Sequence, residues 1–320
     1  MTIKEIPRSV LLLGATGTIG RVTARALLAA GHKVVAPVRP GSDHDAMPFA
    51  VPCEMTQSAL EALMTDNASD AVISCIASRS GAPDDARAID RDLNLAALRA
   101  SITVGVEQFV LLSAICVQKP KLAFQQAKLE FEAELQAAPI TWSIVRPTAY
   151  FKSLSGQVNR LRAGKPFLLF GDGELTACKP ISDDDLGRYL TLCLSDADLQ
   201  NRVLPIGGPG PAMTPRQQGE MLFTALGLTP RYKHVPVALM SGIIAVLSGL
   251  GIVVPRLREK AELARIGRYY ATESMLVWDE AKGRYDADAT PEFGTETLAD
   301  HYKRLATEDV ADDRGAHAVF

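Results

Sequence analysis

The loop Gly14-Ala-Thr-Gly17-Thr-Ile-Gly20 constrains this chain more than any other stretch, because of what lies on either side of it. Before it runs SVLLLG, residues 9–14, apolar enough for a buried strand. After it, the residue pattern from 18 to 30 predicts a helix closed by Gly31. Strand, glycine turn and helix in that order are the setting a dinucleotide fingerprint requires. Glycines permit the tight turn and let backbone N–H groups approach a pyrophosphate, while the helix amino terminus favours its negative charge. Gly14, Thr16, Gly17, Thr18, Ile19 and Gly20 are therefore candidate cofactor-binding residues.

The following segments repeat the alternation. Residues 32–38, 70–77, 107–114 and 140–147 read as strands, with helices expected over 84–104 and 123–137. Strands that are apolar throughout and separated by helices are buried on both faces, which predicts an α/β fold with a doubly wound parallel sheet, the Rossmann arrangement. With 320 residues, 47% of them hydrophobic, the chain can bury a large core and add a smaller region. Beyond Pro147 the pattern loosens into Gly/Pro-punctuated elements such as LPIGGPGPAMTP. The expected division is residues 1–150 as an NADP-binding domain and 151–320 as a mixed substrate region, some of whose elements return to the first.

Composition narrows the function. Lys and Arg number 34 against 37 Asp and Glu, a net charge of -3 with no basic block, which leaves no footprint for nucleic acid. The five cysteines contain no Cys-x-x-Cys pair, and His32, His44, His234, His301 and His317 lack ligand spacing, so no protein-bound metal is expected. Reduced thiols and an amino terminus without a signal-peptide core suggest a cytoplasmic protein.

Counting from the glycines places Arg39 at the end of the second strand, where NAD-binding chains carry an acid for the ribose hydroxyls. Arginine there attracts a 2′-phosphate, so NADPH is expected over NADH; the competing reading is a solvated surface arginine. Ala77, Ser78 and Ser113 follow strands whose carboxyl ends line the ligand crevice, and are expected beside the cofactor. Ser113 reads equally well as a helix cap.

The blocks LLSAICVQKP, FQQAKLEFEAEL, SIVRPTAYFKSLSGQ, FGDGELTACKPIS, LPIGGPGPAMTPRQQGE and IGRYYATESMLVWD resemble the 8-vinyl reductases of divinyl chlorophyllides. These are atypical short-chain dehydrogenases related to the NmrA-like proteins, and the Gly-x-x-Gly-x-x-Gly spacing is theirs too. The resemblance implies an NADPH-dependent enzyme of chlorophyll and bacteriochlorophyll synthesis. Its substrate would be divinyl chlorophyllide a or a related magnesium tetrapyrrole, whose 8-vinyl group becomes ethyl. Alternatives are another NADPH-dependent double-bond reductase of the group and a non-catalytic NADP(H) sensor.

Where a short-chain dehydrogenase normally has Tyr-x-x-x-Lys, this chain has Phe124-Gln-Gln-Ala-Lys128. Carbonyl reduction builds charge on one oxygen and gains from a phenol as general acid. Hydride addition to the terminal carbon of a macrocycle-bound vinyl group leaves a carbanion that the conjugated ring delocalises. Phe124 is then compatible with function as a core aromatic, and Lys128 is the catalytic candidate, as a donor to the nicotinamide ribose or a local positive charge. Water, Lys128, Cys116, Tyr150, Tyr269 and Tyr270 are the candidate proton sources.

The flat pigment with its propionate suggests Arg146, Tyr150, Phe151, Lys152 and Lys179 as substrate residues, with Arg268 as a further cation. Phe170, Leu154 and Met275 would pack on the ring, unless they simply fill the core, and His234 is a speculative axial contact to the pigment magnesium. Residues 237–254 hold no charge and are expected to form a buried or pigment-covering helix, a helix resting on a membrane surface, or a span. The polar tail from about residue 306 reads as disordered or as a terminal arm, and its acidic run DVADD as solvated.

Overall fold

A computed structural model describes residues 6–42, 47–251 and 254–307. His44, His317 and the tail from residue 308 lie outside them. Seven parallel strands form one sheet in the order β3-β2-β1-β4-β5-β6-β8. They are β1 (Ser9–Leu13), β2 (Lys33–Val38), β3 (Ala50–Pro52), β4 (Ala71–Ser74), β5 (Gln108–Leu112), β6 (Thr141–Pro147) and β8 (Arg202–Ile206). Side chains of a strand alternate between its two faces, and β1 shows why its run is apolar throughout. Val10 and Leu12 enter one core with Leu27 and Leu190, whereas Leu11 and Leu13 enter the other with Leu60, Phe109 and Phe131.

The helices supplying those cores are α1 (Thr18–Ala29) and α8 (Asp183–Leu192) on one face, with α2 (Gln57–Asp66), α4 (Asn94–Val104) and α5 (Ala123–Ala137) on the other. The helix expected over 84–104 is not regular. A short α3 (Pro83–Ala86) passes through a π-helical stretch, Arg87–Leu93, before α4. That wider turn carries the buried Asp90, which meets Lys128 of α5.

The chain beyond β6 is interleaved with the sheet. It leaves through α6 (Phe151–Leu154), α7 (Val158–Arg162) and β7 (Phe167–Phe170), then returns as α8 and β8. It leaves again through α9 (Pro215–Leu226) to β9 (Tyr232–Val235), which pairs in parallel with β7. Helices α10 (Val237–Gly251) and α11 (Pro255–Thr272) pack as a hairpin, followed by the antiparallel pair β10 (Val277–Asp279) and β11 (Arg284–Asp286) and by α12 (Leu298–Thr307). Ser182 caps α8 by accepting from the Asp185 N–H at 3.0 Å, and Thr214 and Gln217 cap α9 reciprocally, which fixes where both helices begin. The strand order reverses between β1 and β4, so a crevice opens at their carboxyl ends, and the later elements roof it.

Candidate cofactor and substrate site

The glycine loop is built by close approach. Gly14 has φ of +79°, and a Cβ on it would lie 2.8 Å from the Cys75 carbonyl carbon at the end of β4. A Cβ on Gly20 would come within 2.0 Å of the Gly14 oxygen, so a side chain at either position displaces the loop. Gly17 caps α1 without a side-chain bond, and the first turn carries no acid. The first amides of α1 are thus without a side-chain cap, as a pyrophosphate requires, and the residues present fit a dinucleotide. Thr16 is exposed on the loop, Thr18 is half-buried and Ile19 is buried beneath it. Arg39 is exposed just past β2, in a turn where the Ser42 N–H donates to its carbonyl at 3.1 Å.

Beyond β4, Ala77 is exposed, and the Ser78 N–H donates to Asp90 Oδ2 at 3.3 Å. The other oxygen of Asp90 lies 2.9 Å from Lys128 Nζ, and both residues are buried. Lys128 is therefore not a solvated lysine: Asp90 fixes it in the interior, where it does not itself line the cavity but its charge acts on Cys116, which does. Ser113 donates from its hydroxyl to Glu132, which also accepts from the Arg146 guanidinium. This group, with Ser113 and Glu132 buried and Arg146 half-buried, ties β5, β6 and α5 together and leaves Arg146 off the cavity wall.

A cavity of about 670 Å³ runs from the start of α1, past the carboxyl ends of β5 and β6, to β7 and the end of α11. That is within the roughly 300–1,000 Å³ of small-molecule sites. Its polar groups include Thr18, Cys116, Tyr150, Lys152, Asp183 and Tyr270, with Gln157 and Arg160 toward β7 and Glu273 at the α11 end. Leu154, Phe170 and Met275 supply apolar wall, and Leu154 and Met275 also pack in the adjoining cores. Phe151 is placed differently: it is buried in a separate core with Phe223 and Tyr302, its ring 5.4 Å from that of His301. Its neighbours in α6 face the cavity, and one helical step turns it away. Lys179 is held by Glu292 at 2.5 Å and by the Thr290 carbonyl at 3.3 Å. His234 is exposed, with Nδ1 2.8 Å from the Gly171 oxygen, and neither it nor Arg268 lines the cavity.

Burial sets the protonation of the wall. It pushes the Tyr150 and Tyr270 phenols and the Cys116 thiol upward, so all three are neutral donors near pH 7. The Tyr270 hydroxyl lies 3.8 Å from Cys116 Sγ, whereas Tyr269 donates to the carbonyls of Cys116 and Lys119 and serves packing. Burial raises the Asp183 carboxyl to about 6 despite the nearby Lys152. Glu273 goes the other way: burial opposes its charge, but bonds from Lys121, Tyr285 and Lys119 outweigh that and hold it at about 2. Asp90, Glu132, Asp183 and Glu273 escaped the sequence reading: Asp90, Glu132 and Glu273 meet their cations on other elements of the fold, and Asp183 reaches the cavity only when α8 returns to the sheet. Among the described residues no cluster of three or more His, Cys, Asp or Glu is arranged to hold a metal ion.

Residues 14–197 match a family model described as NAD(P)H-binding. The chain is 44% identical over 98% of its length to the maize (Zea mays) protein named divinyl chlorophyllide a 8-vinyl-reductase, chloroplastic, covering 83% of it. It belongs to the divinyl chlorophyllide a 8-vinyl-reductase family. The rice (Oryza sativa subsp. indica) protein of the same name is 46% identical, with 98% of this chain and 82% of that one covered. The solved structure of an NADPH-dependent quinone oxidoreductase from Escherichia coli, complexed with NADPH, shares the fold. It aligns with a TM-score of 0.68 at 17% identity, over 92% of this chain and 99% of that one. In this vinyl reductase family member the usual tyrosine position holds Phe124, half-buried against Ile115, Cys116 and Ile266. The lysine position is retained, and Lys128 is paired there with Asp90.

Proposed function

We propose that this protein uses NADPH to reduce the 8-vinyl group of divinyl chlorophyllide a, or a related divinyl magnesium tetrapyrrole, to ethyl. The observation that carries this reading is 44–46% identity across 98% of the chain to reductases of that name. The largely apolar cavity beginning at the dinucleotide loop supports it.

NADPH, when bound, supplies a hydride. The uncapped amides of α1 and the loop Gly14–Gly20 hold its pyrophosphate. Arg39, exposed past β2 with no acid in residues 38–42, favours the 2′-phosphate. Ala77, Ser78 and Ser113 border the cofactor through their backbone positions, since the Ser113 hydroxyl is committed to Glu132. Lys128, oriented by Asp90, provides positive charge beneath the reacting end of the crevice. Hydride addition at the terminal vinyl carbon leaves negative charge that the conjugated macrocycle spreads, so Phe124 deprives the reaction of nothing essential. The proton that completes the ethyl group comes from Tyr150 or Tyr270, both neutral at the cavity wall.

Peripheral association with a membrane surface belongs to the same reading. Among the described residues no helix is long and apolar enough to cross a membrane. Along α10, however, Leu239, Ile243, Val246 and Leu250 are 55%, 46%, 61% and 54% exposed and recur at helical spacing. Residues 231–272 carry seven Lys and Arg against two Glu in a chain of net charge -3, which suits an anionic surface.

Anaerobic incubation with NADPH and divinyl chlorophyllide a tests the proposal. A shifted Soret band and a monovinyl product are expected; tight NADPH binding with unchanged pigment, in a folded protein, contradicts it.

A further inference from the structure

Lys152 stands where a cation is poorly accommodated without an anion. It lies in α6, lines the cofactor end of the cavity, and its Nζ donates to Thr18 Oγ1 at 3.2 Å. Thr18 is the first residue of α1, whose amino terminus has no side-chain cap and no acid in its first turn. The partial positive charge of a helix amino terminus repels an ammonium and attracts an anion. A neutral hydroxyl does not offset that repulsion. The carboxylate nearest in kind is Asp183, which opens α8 at the same end of the cavity. The charge of Lys152 acts on it, but no direct ion pair joins the two among the described residues, and its buried Oδ1 has no hydrogen-bond partner. Burial also favours the uncharged form of Asp183, so it is a weak counterion. The uncapped amino terminus of α1 and an ammonium bonded only to a neutral hydroxyl therefore converge on one corner, where a bound anion would satisfy both, whereas the amino terminus of α8 already carries Asp183, Asp184 and Asp185.

We propose that Lys152 binds the nicotinamide-side phosphate of the dinucleotide, closing over the glycine loop from the substrate side. This rests on the reading of the protein as an NADPH-dependent reductase. It moves Lys152 from the substrate cations, where its position after β6 suggested it, to the cofactor. A substrate carboxylate offers the same anionic chemistry, but the bond to Thr18 brings the ammonium to the fingerprint helix rather than toward β7 and Met275, where the apolar wall lies.

The test measures dissociation constants by fluorescence titration for wild type, Lys152→Met, Lys152→Gln and Lys152→Arg, each checked for folding by circular dichroism. Two probes are used: NADPH, and adenosine 2′,5′-bisphosphate, which lacks the nicotinamide-side phosphate. The NADPH constant should rise about tenfold or more in the Met and Gln variants, as expected for losing a charge-assisted bond. It should change little in the Arg variant, and adenosine 2′,5′-bisphosphate should bind all four proteins alike. The salt dependence of NADPH binding should also flatten in the Met and Gln variants. An unchanged NADPH constant overturns the proposal, and a raised pigment KM alongside it identifies the anion as the substrate carboxylate. Equal weakening of both probes also overturns it, since that marks a distorted loop. If the wild type binds no NADPH, the underlying reductase reading fails with it.

Discussion

Lys128 and Asp90 illustrate how much one residue's meaning depends on its partner. The spacing after Phe124 singled out the lysine, but nothing adjacent in the chain announced a carboxylate beneath it, because Asp90 reaches the site from a π-helical turn. Removing one member of a buried pair strands the other's charge, at a cost of about 3–5 kcal/mol. Lys128→Met should lower unfolding stability by about that much, and adding Asp90→Asn should recover part of it; urea denaturation of both variants measures this. Recovery of stability without activity in the double variant separates the structural role of the pair from the catalytic role of the lysine. Asp183 yields a pH prediction with a definite sign. Its carboxyl is raised to about 6 from an ordinary value of 3.8, so its contribution to stability is full below about 3.8 and is lost as pH rises through about 6. Thermal melting should therefore show Asp183→Asn gaining on the wild type between pH 4 and 7. A difference in Tm independent of pH in that window would contradict the assigned environment.

Most elements near the site were legible because periodicity and burial agree there. The helix expected over 123–137 is α5, and the strands expected over 107–114 and 140–147 contain β5 and β6. Two strands of the seven-stranded sheet were not legible for physical reasons. β3 is a three-residue edge strand, too short for any pattern, and β8 carries Pro205, which an edge strand tolerates but which reads as a breaker in sequence. The segment 237–254 raised three readings, and its burial pattern removes the buried-helix form of the first. The residues of α10 are mostly exposed or half-buried, so it is not a core helix. Sedimentation with vesicles should find binding that increases with anionic lipid and falls several-fold in Ile243→Ser/Val246→Ser, with the melting temperature nearly unchanged. Equal sedimentation of variant and parent would remove α10 from any membrane contact.

Across the whole molecule, the sheet positions one end of the cavity and the interleaved chain beyond residue 150 supplies the other. The cofactor end was readable because a glycine loop must sit between a strand and a helix. The substrate end was readable mainly through family resemblance, since its groups come from β7, α6, α8 and α11 and converge only when the chain returns to the sheet. Of the cations suggested for the pigment carboxylate, Arg146 and Lys179 are engaged by Glu132 and Glu292, and Lys152 faces α1. The cavity is a predominantly apolar slot whose Tyr150, Tyr270 and Cys116 donors are neutral, with the cations Lys152 and Arg160 on its wall. The most direct test of that picture follows the hydrogen itself. The protein is incubated anaerobically with divinyl chlorophyllide a and NADPH carrying deuterium at the transferable C4 position, and the pigment is analysed by mass spectrometry. The proposed chemistry predicts an 8-ethyl product with one deuterium on its terminal carbon. Unreduced pigment, or an ethyl product without deuterium from either C4 face of the cofactor, would contradict direct hydride transfer to the vinyl group.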